Sequence, residues 1–251
     1  MKQLEFQYGE EIILISVEKS RRKSLAISVS DDGSVRVKAP QGLSDAELLK
    51  WIRTKTAWII RKRNEMLASS VHKKPRKYIL GEQFFFLGEK YCLEIRISES
   101  RAGTVGIAED KLVVFIKEAE AALALGDANE IIKYQQVLNE YLTAWYEKQA
   151  HIQIPKRVRY YANVVNESYA RVFIKNQKSR WGSCSSAGNL NFNWRLMMAP
   201  LTVLDYVVVH ELCHLKQMNH SKEFWEEVEK TLPDYKERKK WLDENGRLLQ
   251  L

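Results

Sequence analysis

The sequence predicts an α+β fold, and three observations carry that reading. Leu25, Ile27 and Val29 alternate with polar residues, as do Val35, Val37 and Ala39, with Asp31-Asp32-Gly33 between them. Alternation on both sides of a glycine-containing turn is a hairpin signal. Helical patterns gather in the second half. Strands and helices therefore come in runs rather than in strict alternation, which argues against a βαβ parallel sheet.

Residues 4–39 read as strands, stopped by Pro40 and Gly42. Ser44 with Glu47 three residues on is a capping box, in which each side chain satisfies the other residue's free N–H. It opens one helix carrying Leu48, Leu49, Trp51, Ile52, Trp58, Ile59 and Ile60, with Arg and Lys on its other faces. Residues 69–77 read as an exposed basic linker, with His72 solvated. Short strand patterns follow at 83–87, 91–98 and 111–116. Alanine-rich helical sequence begins near Glu118 and is interrupted at Gly126-Asp127. Asp127 is placed to cap a second helix that reaches about His151 and ends at Pro155, which lacks the N–H a helix needs. Strand patterns return at 169–174 and 189–194, joined by a loop containing Ser179-Arg180-Trp181-Gly182-Ser183-Cys184. An apolar helix then covers about 201–217. No internal repeat is visible.

At 251 residues, 45% of them hydrophobic, the chain is long enough for one substantial core or two small ones. With 11 glycines and 5 prolines it is neither collagen-like nor of low complexity. Apolar runs such as Ile12-Ile13-Leu14-Ile15 are far too short to span a bilayer, and the N-terminus has no signal core. A soluble, cytoplasmic protein without a membrane partner is expected. Cys92, Cys184 and Cys213 form an odd, unpatterned set, as in a reducing compartment.

The net charge is +8, and it is unevenly placed. Residues 1–77 hold 17 Lys and Arg against 9 Asp and Glu, whereas residues 78–251 hold 23 against 23. A basic segment of this kind suits nucleic acid, an acidic protein, an anionic membrane surface or simple solubility.

The chemistry concentrates in His210-Glu211-Leu212-Cys213-His214, an HExxH motif. Residues four apart on a helix share a face, so both imidazoles reach one tetrahedral zinc at about 2.0–2.1 Å. Glu211 lies about 100° around the helix, beside the metal rather than on it. The motif follows the apolar run Val203-Leu204-Asp205-Tyr206-Val207-Val208-Val209, where an unpartnered His-Glu pair would be costly. A catalytic zinc needs a third protein ligand. His220 is the choice if the helix stops first; Asn219 is a suitable stop and Ser221 a suitable cap for a new helix. Glu223, Glu226 and Glu227 are its rivals. Cys213 reads as core packing. The chemistry is that of a one-zinc hydrolase, with Glu211 as general base on a water whose pKa falls toward about 7. Arg180, Asn193, Arg195 and Tyr206 are candidates to stabilise the tetrahedral intermediate or bind substrate.

Arg180-Trp181-Gly182-Ser183-Cys184, Asn193-Trp194-Arg195-Leu196, Ala199-Pro200, the Tyr206–Leu215 run, His220 and Phe224-Trp225 together resemble the YgjP-like metallopeptidase family, related to the SprT and WLM zincins. Pro233-Asp234-Tyr235-Lys236 and Trp241-Leu242 extend the likeness forward. Arg21-Arg22-Lys23-Ser24-Leu25, Gly33, Ala39-Pro40 and Trp58-Ile59 extend it back, and it is weakest over about 98–135. The resemblance implies zinc on His210, His214 and His220, Glu211 as catalytic base, and a gluzincin- or SprT-like core of a long helix beside a small sheet. It also implies an edge strand that takes extended peptide, for which residues 190–194 are the candidate. The expected organisation is a basic hairpin-and-helix portion over 1–77, a β-rich connection over 78–117 and a zincin-like domain over 118–251. The expected activity is a zinc endopeptidase acting on peptide or protein. The competing reading is a module that binds nucleic acid or protein, with a structural or vestigial zinc.

Overall fold

The computed structural model describes residues 2–9, 11–30, 32–72, 76–177 and 180–251. The fold is mixed α+β, with three small sheets and seven α-helices among the described residues. It divides into two compact units, Met1–Pro75 and Arg76–Leu251.

The first unit holds β1 (Lys2–Tyr8), β2 (Glu11–Ser20), β3 (Ala26–Val29) and β4 (Val35–Pro40), in the order β1-β2-β4-β3. The expected hairpin is present: β3 and β4 pair antiparallel, with Val29 opposite Val35. Asp31 of its turn lies outside the described residues. Alternation on β2 and β4 turns Ile13, Ile15, Val17, Val35, Val37 and Ala39 to one face, which Leu48, Ile52 and Ile59 cover. The capping box forms: Ser44 N donates to Glu47 Oε2 at 2.9 Å and Glu47 N to Ser44 Oγ at 3.3 Å. The single helix expected after it is two, α1 (Asp45–Thr54) and α2 (Thr56–His72). At the break the hydroxyls of Thr54 and Thr56 donate to the carbonyls of Trp51 and Arg53, at 2.7 and 2.9 Å. Local side-chain bonds of this kind compete with helix continuation. Because α2 runs to His72, residues 69–72 of the expected linker are helical, while 73–75 lie outside the described residues.

The second unit opens with β5 (Gln83–Phe86), β6 (Glu89–Ile97), β7 (Val105–Ala108) and β8 (Lys111–Ile116). Their order, β5-β6-β8-β7, repeats that of the first unit. The senses of pairing repeat too: antiparallel, parallel, antiparallel. Even the exit recurs. Glu120 Oε2 accepts from Lys117 N at 2.8 Å at the start of α3 (Glu118–Ala122), as Glu47 does at Ser44. The repeat escapes a sequence reading because β7 is only four residues long and contains a glycine, which weakens a strand signal. The β5–β6 turn has positive φ at Leu87 (50°) and Gly88 (89°), as a two-residue hairpin turn requires. Leu87 N donates to Met197 O at 2.7 Å, and a Cβ on Gly88 would lie 2.8 Å from Pro200 Cα. The turn is thus seated where the chain enters α5 (Leu201–Cys213).

The long helix α4 (Ala128–Val165) begins where expected, with Asp127 Oδ1 accepting from Asn129 N and Glu130 N at 2.8 and 3.0 Å. It does not end at Pro155 but runs ten residues beyond it. An interior proline costs about 3 kcal/mol. The stripe Leu138, Leu142, Tyr146, Ala150, Ile154, Val158, Ala162 and Val165 is buried throughout, and each large apolar side chain there contributes about 1.5–3 kcal/mol. Burial outweighs the proline.

The last sheet is β9 (Arg171–Lys175), β10 (Gly182–Cys184) and β11 (Asn189–Asn193), ordered β10-β11-β9. This corrects the candidate edge strand. Residues 189–193 form the central strand, paired antiparallel to β10 and parallel to β9, so β10 offers a free edge instead. α5 stops at Cys213, short of the expected 217. α6 (Lys222–Thr231) and α7 (Tyr235–Asn245) complete the unit. Its sheets and helices share one apolar core.

Candidate metal centre

Helix α5 is apolar on nearly every side: Val203, Leu204, Tyr206, Val207, Val208, Val209, Leu212 and Cys213 are all buried. A helix buried all round has little rotational freedom, so the side chains at its end are aimed by the fold. One polar residue in this run, Asp205, is held by α4. Arg157 Nε and Nη2 donate to its two carboxylate oxygens at 2.6 and 2.7 Å, and Tyr161 Oη donates to Oδ2 at 3.1 Å. The bidentate geometry ties the two helices together one turn before the motif.

His210 and His214 follow on one face, with their Nε2 atoms 3.2 Å apart. The helix ends directly afterwards. Leu215, Lys216 and Gln217 fold back through bonds to Leu212 O and Cys213 O, and Ser221 Oγ accepts from Phe224 N to start α6. That reversal brings His220 Nε2 to 3.0 Å from His210 Nε2. Among the described residues, His210, His214 and His220 form the one set of His, Cys, Asp or Glu whose donor atoms could hold a metal, all within 4.8 Å of one another. Of the rivals, Glu226 pairs with Lys222 and Glu227 with Lys216; Glu223 is exposed and bonded to Ser221.

The set fits zinc. Three nitrogens at about 2.0–2.1 Å from a tetrahedral ion stand about 3.3 Å apart. His214 Nδ1 lies 2.9 Å from Gln217 O. A carbonyl only accepts, so Nδ1 carries the proton and Nε2 presents its lone pair to the other two rings. Burial holds His210 and His214 neutral, the form that ligates: His210 is pulled down to about 3, chiefly by lost hydration and then by the neighbouring His214 and His220, and His214 is lowered for the same first reason.

Glu211 is 5% exposed, and its Oε2 has no hydrogen-bond partner. Burial pushes its carboxyl up to about 8, with the Arg180 guanidinium pulling the other way. Tyr206, one turn earlier, packs its ring 5.8 Å from that of His210, and burial raises its phenol well above the ordinary value. Of the predicted substrate groups, Arg180 and Tyr206 therefore neighbour the motif. Asn193 and Arg195 are engaged elsewhere: Asn193 Nδ2 donates to Gln177 O at 2.7 Å and to Arg180 O at 3.2 Å, and Arg195 Nη1 donates to Asn176 Oδ1 at 2.6 Å. Both hold the loop that precedes β10. Ser179 in that loop lies outside the described residues.

Two neighbours carry no chemical signal in sequence. The Phe224 ring is fully buried beneath all three imidazoles, with centroids 5.0 Å from His210, 4.5 Å from His214 and 4.9 Å from His220. Trp225 stacks on His220 at 5.7 Å and on Tyr235 at 5.4 Å. A signal was available: Phe224 lies four residues after His220, on a helix whose cap the sequence announces. The other neighbour is β10. Asn193 N donates to Trp181 O at 2.8 Å and Ser185 N to Asn189 O at 3.0 Å. In an antiparallel pair such positions alternate, so Gly182 and Cys184 direct their N–H and C=O groups to the free edge.

A family model described as YgjP-like, metallopeptidase domain, matches residues 23–245. Among solved structures, the chain is similar to the metallopeptidase zymogen of Pyrococcus abyssi abylysin, at 24% identity. That match covers 35% of this chain and 90% of the other, with a TM-score of 0.33. No curated protein matches the chain.

Proposed function

Since the chain belongs to the YgjP-like metallopeptidase family, we propose that it is a zinc-dependent endopeptidase with His210, His214 and His220 as ligands and Glu211 as general base. The observation that carries this reading is the convergence of three imidazoles beside one buried carboxyl group whose Oε2 has no partner. A zinc ion held there supplies Lewis acidity toward the scissile carbonyl and the attacking water. Glu211 takes the proton of that water and later delivers it to the leaving amine. Extended substrate adds as a strand to the free edge of β10, bonded through the backbone of Gly182 and Cys184. Tyr206, kept neutral and so a donor, and the cationic Arg180 are the groups placed to meet developing negative charge. The zincin-like core of this proposal covers 118–251, preceded by the β-rich 78–117 and the basic 1–77. The site of action would be the cytoplasm.

Metal analysis of purified protein beside cleavage of a quenched-fluorescent peptide library tests the reading. Wild type and Glu211→Gln should each hold one zinc ion, while cleavage by the variant falls about 10²–10⁴-fold, the usual worth of a general base. His220→Ala should lose zinc. Equal cleavage by Glu211→Gln would overturn the mechanism, and unchanged zinc in His220→Ala would move the third ligand elsewhere.

A second reading rests on charge: the surplus of eight positives within 1–77, six of them in the first unit, suits nucleic acid or an acidic partner.

A further inference from the structure

We propose that Gly182 is a positioning residue for Glu211: a side chain at this one strand position would occupy the space in which the carboxylate is held. A Cβ built on Gly182 would lie 2.6 Å from Glu211 Oε1, 2.7 Å from Cγ and 2.9 Å from Cδ. Real Cβ contacts are not this short. Rotating the carboxylate would relieve the first clash but not the second, because Cγ is placed by the rotation nearest the backbone. Glu211 has little room to retreat, being 5% exposed on a helix buried all round. The requirement is not one of backbone conformation, since Gly182 is absent from the positive-φ glycines and any residue could adopt its extended geometry.

Its neighbours show what the absence achieves. Gly182 and Cys184 share the face of β10 that looks toward α5, and the Cys184 thiol is raised by burial and by the Glu211 charge. Gly182 thus brings strand backbone against the carboxylate on one side and offers its N–H and C=O to the free edge on the other. Backbone that approaches this closely sets the distance between the base and any chain lying along the edge. Trp181 keeps the strand in place from its opposite face: a Cβ on Gly246 would meet its Cζ2 at 2.9 Å, so the indole lies directly against the C-terminal turn.

The inference rests on Glu211 being the base, and the test separates the two. In the zinc-loaded full chain, Gly182→Ala should lower the melting temperature by about 5 °C through overpacking. In a Glu211→Ala background, which lacks the clashing atoms, the same substitution should shift it by less than about 1 °C. Zinc content should be unchanged. With the peptide library, Gly182→Ala should lose at least about tenfold in kcat with KM nearly constant, and the acidic limb of its pH–rate profile should move. Failure of Gly182→Ala to fold alone, with recovery in the double variant, supports the same coupling. Equal destabilisation in both backgrounds would overturn the inference, as would a fully active Gly182→Ala beside an inactive Glu211→Gln. An active Glu211→Gln would instead remove the reading beneath it.

Discussion

A buried glutamate without a hydrogen-bond partner is a liability to a folded chain, and its cost depends on pH. The Glu211 carboxyl titrates at about 8 in the fold but near its ordinary 4.5 when exposed. Between those values the folded chain holds more protons than the unfolded one, so stability falls as pH rises. His210 works in the opposite sense. Its folded value near 3 lies below the ordinary 6.5, so the unfolded chain binds the extra proton and stability is lost as pH falls through that window. The glutamate contribution can be isolated. Metal-stripped Glu211→Gln should melt above metal-stripped wild type at about pH 8.5, and that gap should exceed the one at about pH 5 by at least about 3 °C. A gap independent of pH would mean that Glu211 is not held protonated. Individual residues were unevenly legible. His210, Glu211 and His214 announce themselves by spacing. Gly182 and Phe224 do not, because one acts by having no side chain and the other by packing, and neither leaves a mark on local chemistry.

Elements were legible where a local rule decides them. The capping box at Ser44 and the caps at Asp127 and Ser221 all follow from neighbouring residues, and all three are found. Elements decided by tertiary contact were not. α4 passes Pro155 because its apolar stripe is buried beyond that point, and β11 takes the central place because β9, 18 residues earlier, pairs with its second side. The Asp205 clamp belongs to this second kind, since Arg157 and Tyr161 lie on another helix. Asp205→Ala should destabilise the protein by about 3 kcal/mol, because it leaves a partly buried guanidinium without its counter-charge. Chemical denaturation measures this directly. A change below about 0.5 kcal/mol would place the hold on α5 in its apolar packing alone.

Along the sequence, the charge surplus lies in residues 1–77 and the HExxH motif at 210–214. Each unit has its own apolar core, one built from residues between Phe6 and Ile59 and the other from residues between Tyr78 and Leu249. A domain with its own core is expected to fold by itself. Expressed alone, residues 76–251 should bind zinc as tightly as the full chain. If the full chain is retained on heparin or labelled DNA at low salt, residues 76–251 should lose most of that retention. Retention equal to that of the full chain would assign binding to the second unit. Absence of retention in both would leave the basic surplus a matter of solubility.

The twice-used strand order has a further consequence, which concerns inheritance. A chain that carries one architectural pattern twice, in units with separate cores, exposes the copies to different constraints. The second is bound to the start of α5, the helix that carries the HExxH motif, through a turn of two residues, Leu87 and Gly88, seated on Met197 and Pro200. Drift in that turn is limited by the helix it is seated on. The first copy packs on a core of its own. Relatives should therefore differ most in the surface of the first sheet and least in the turn that opens the second.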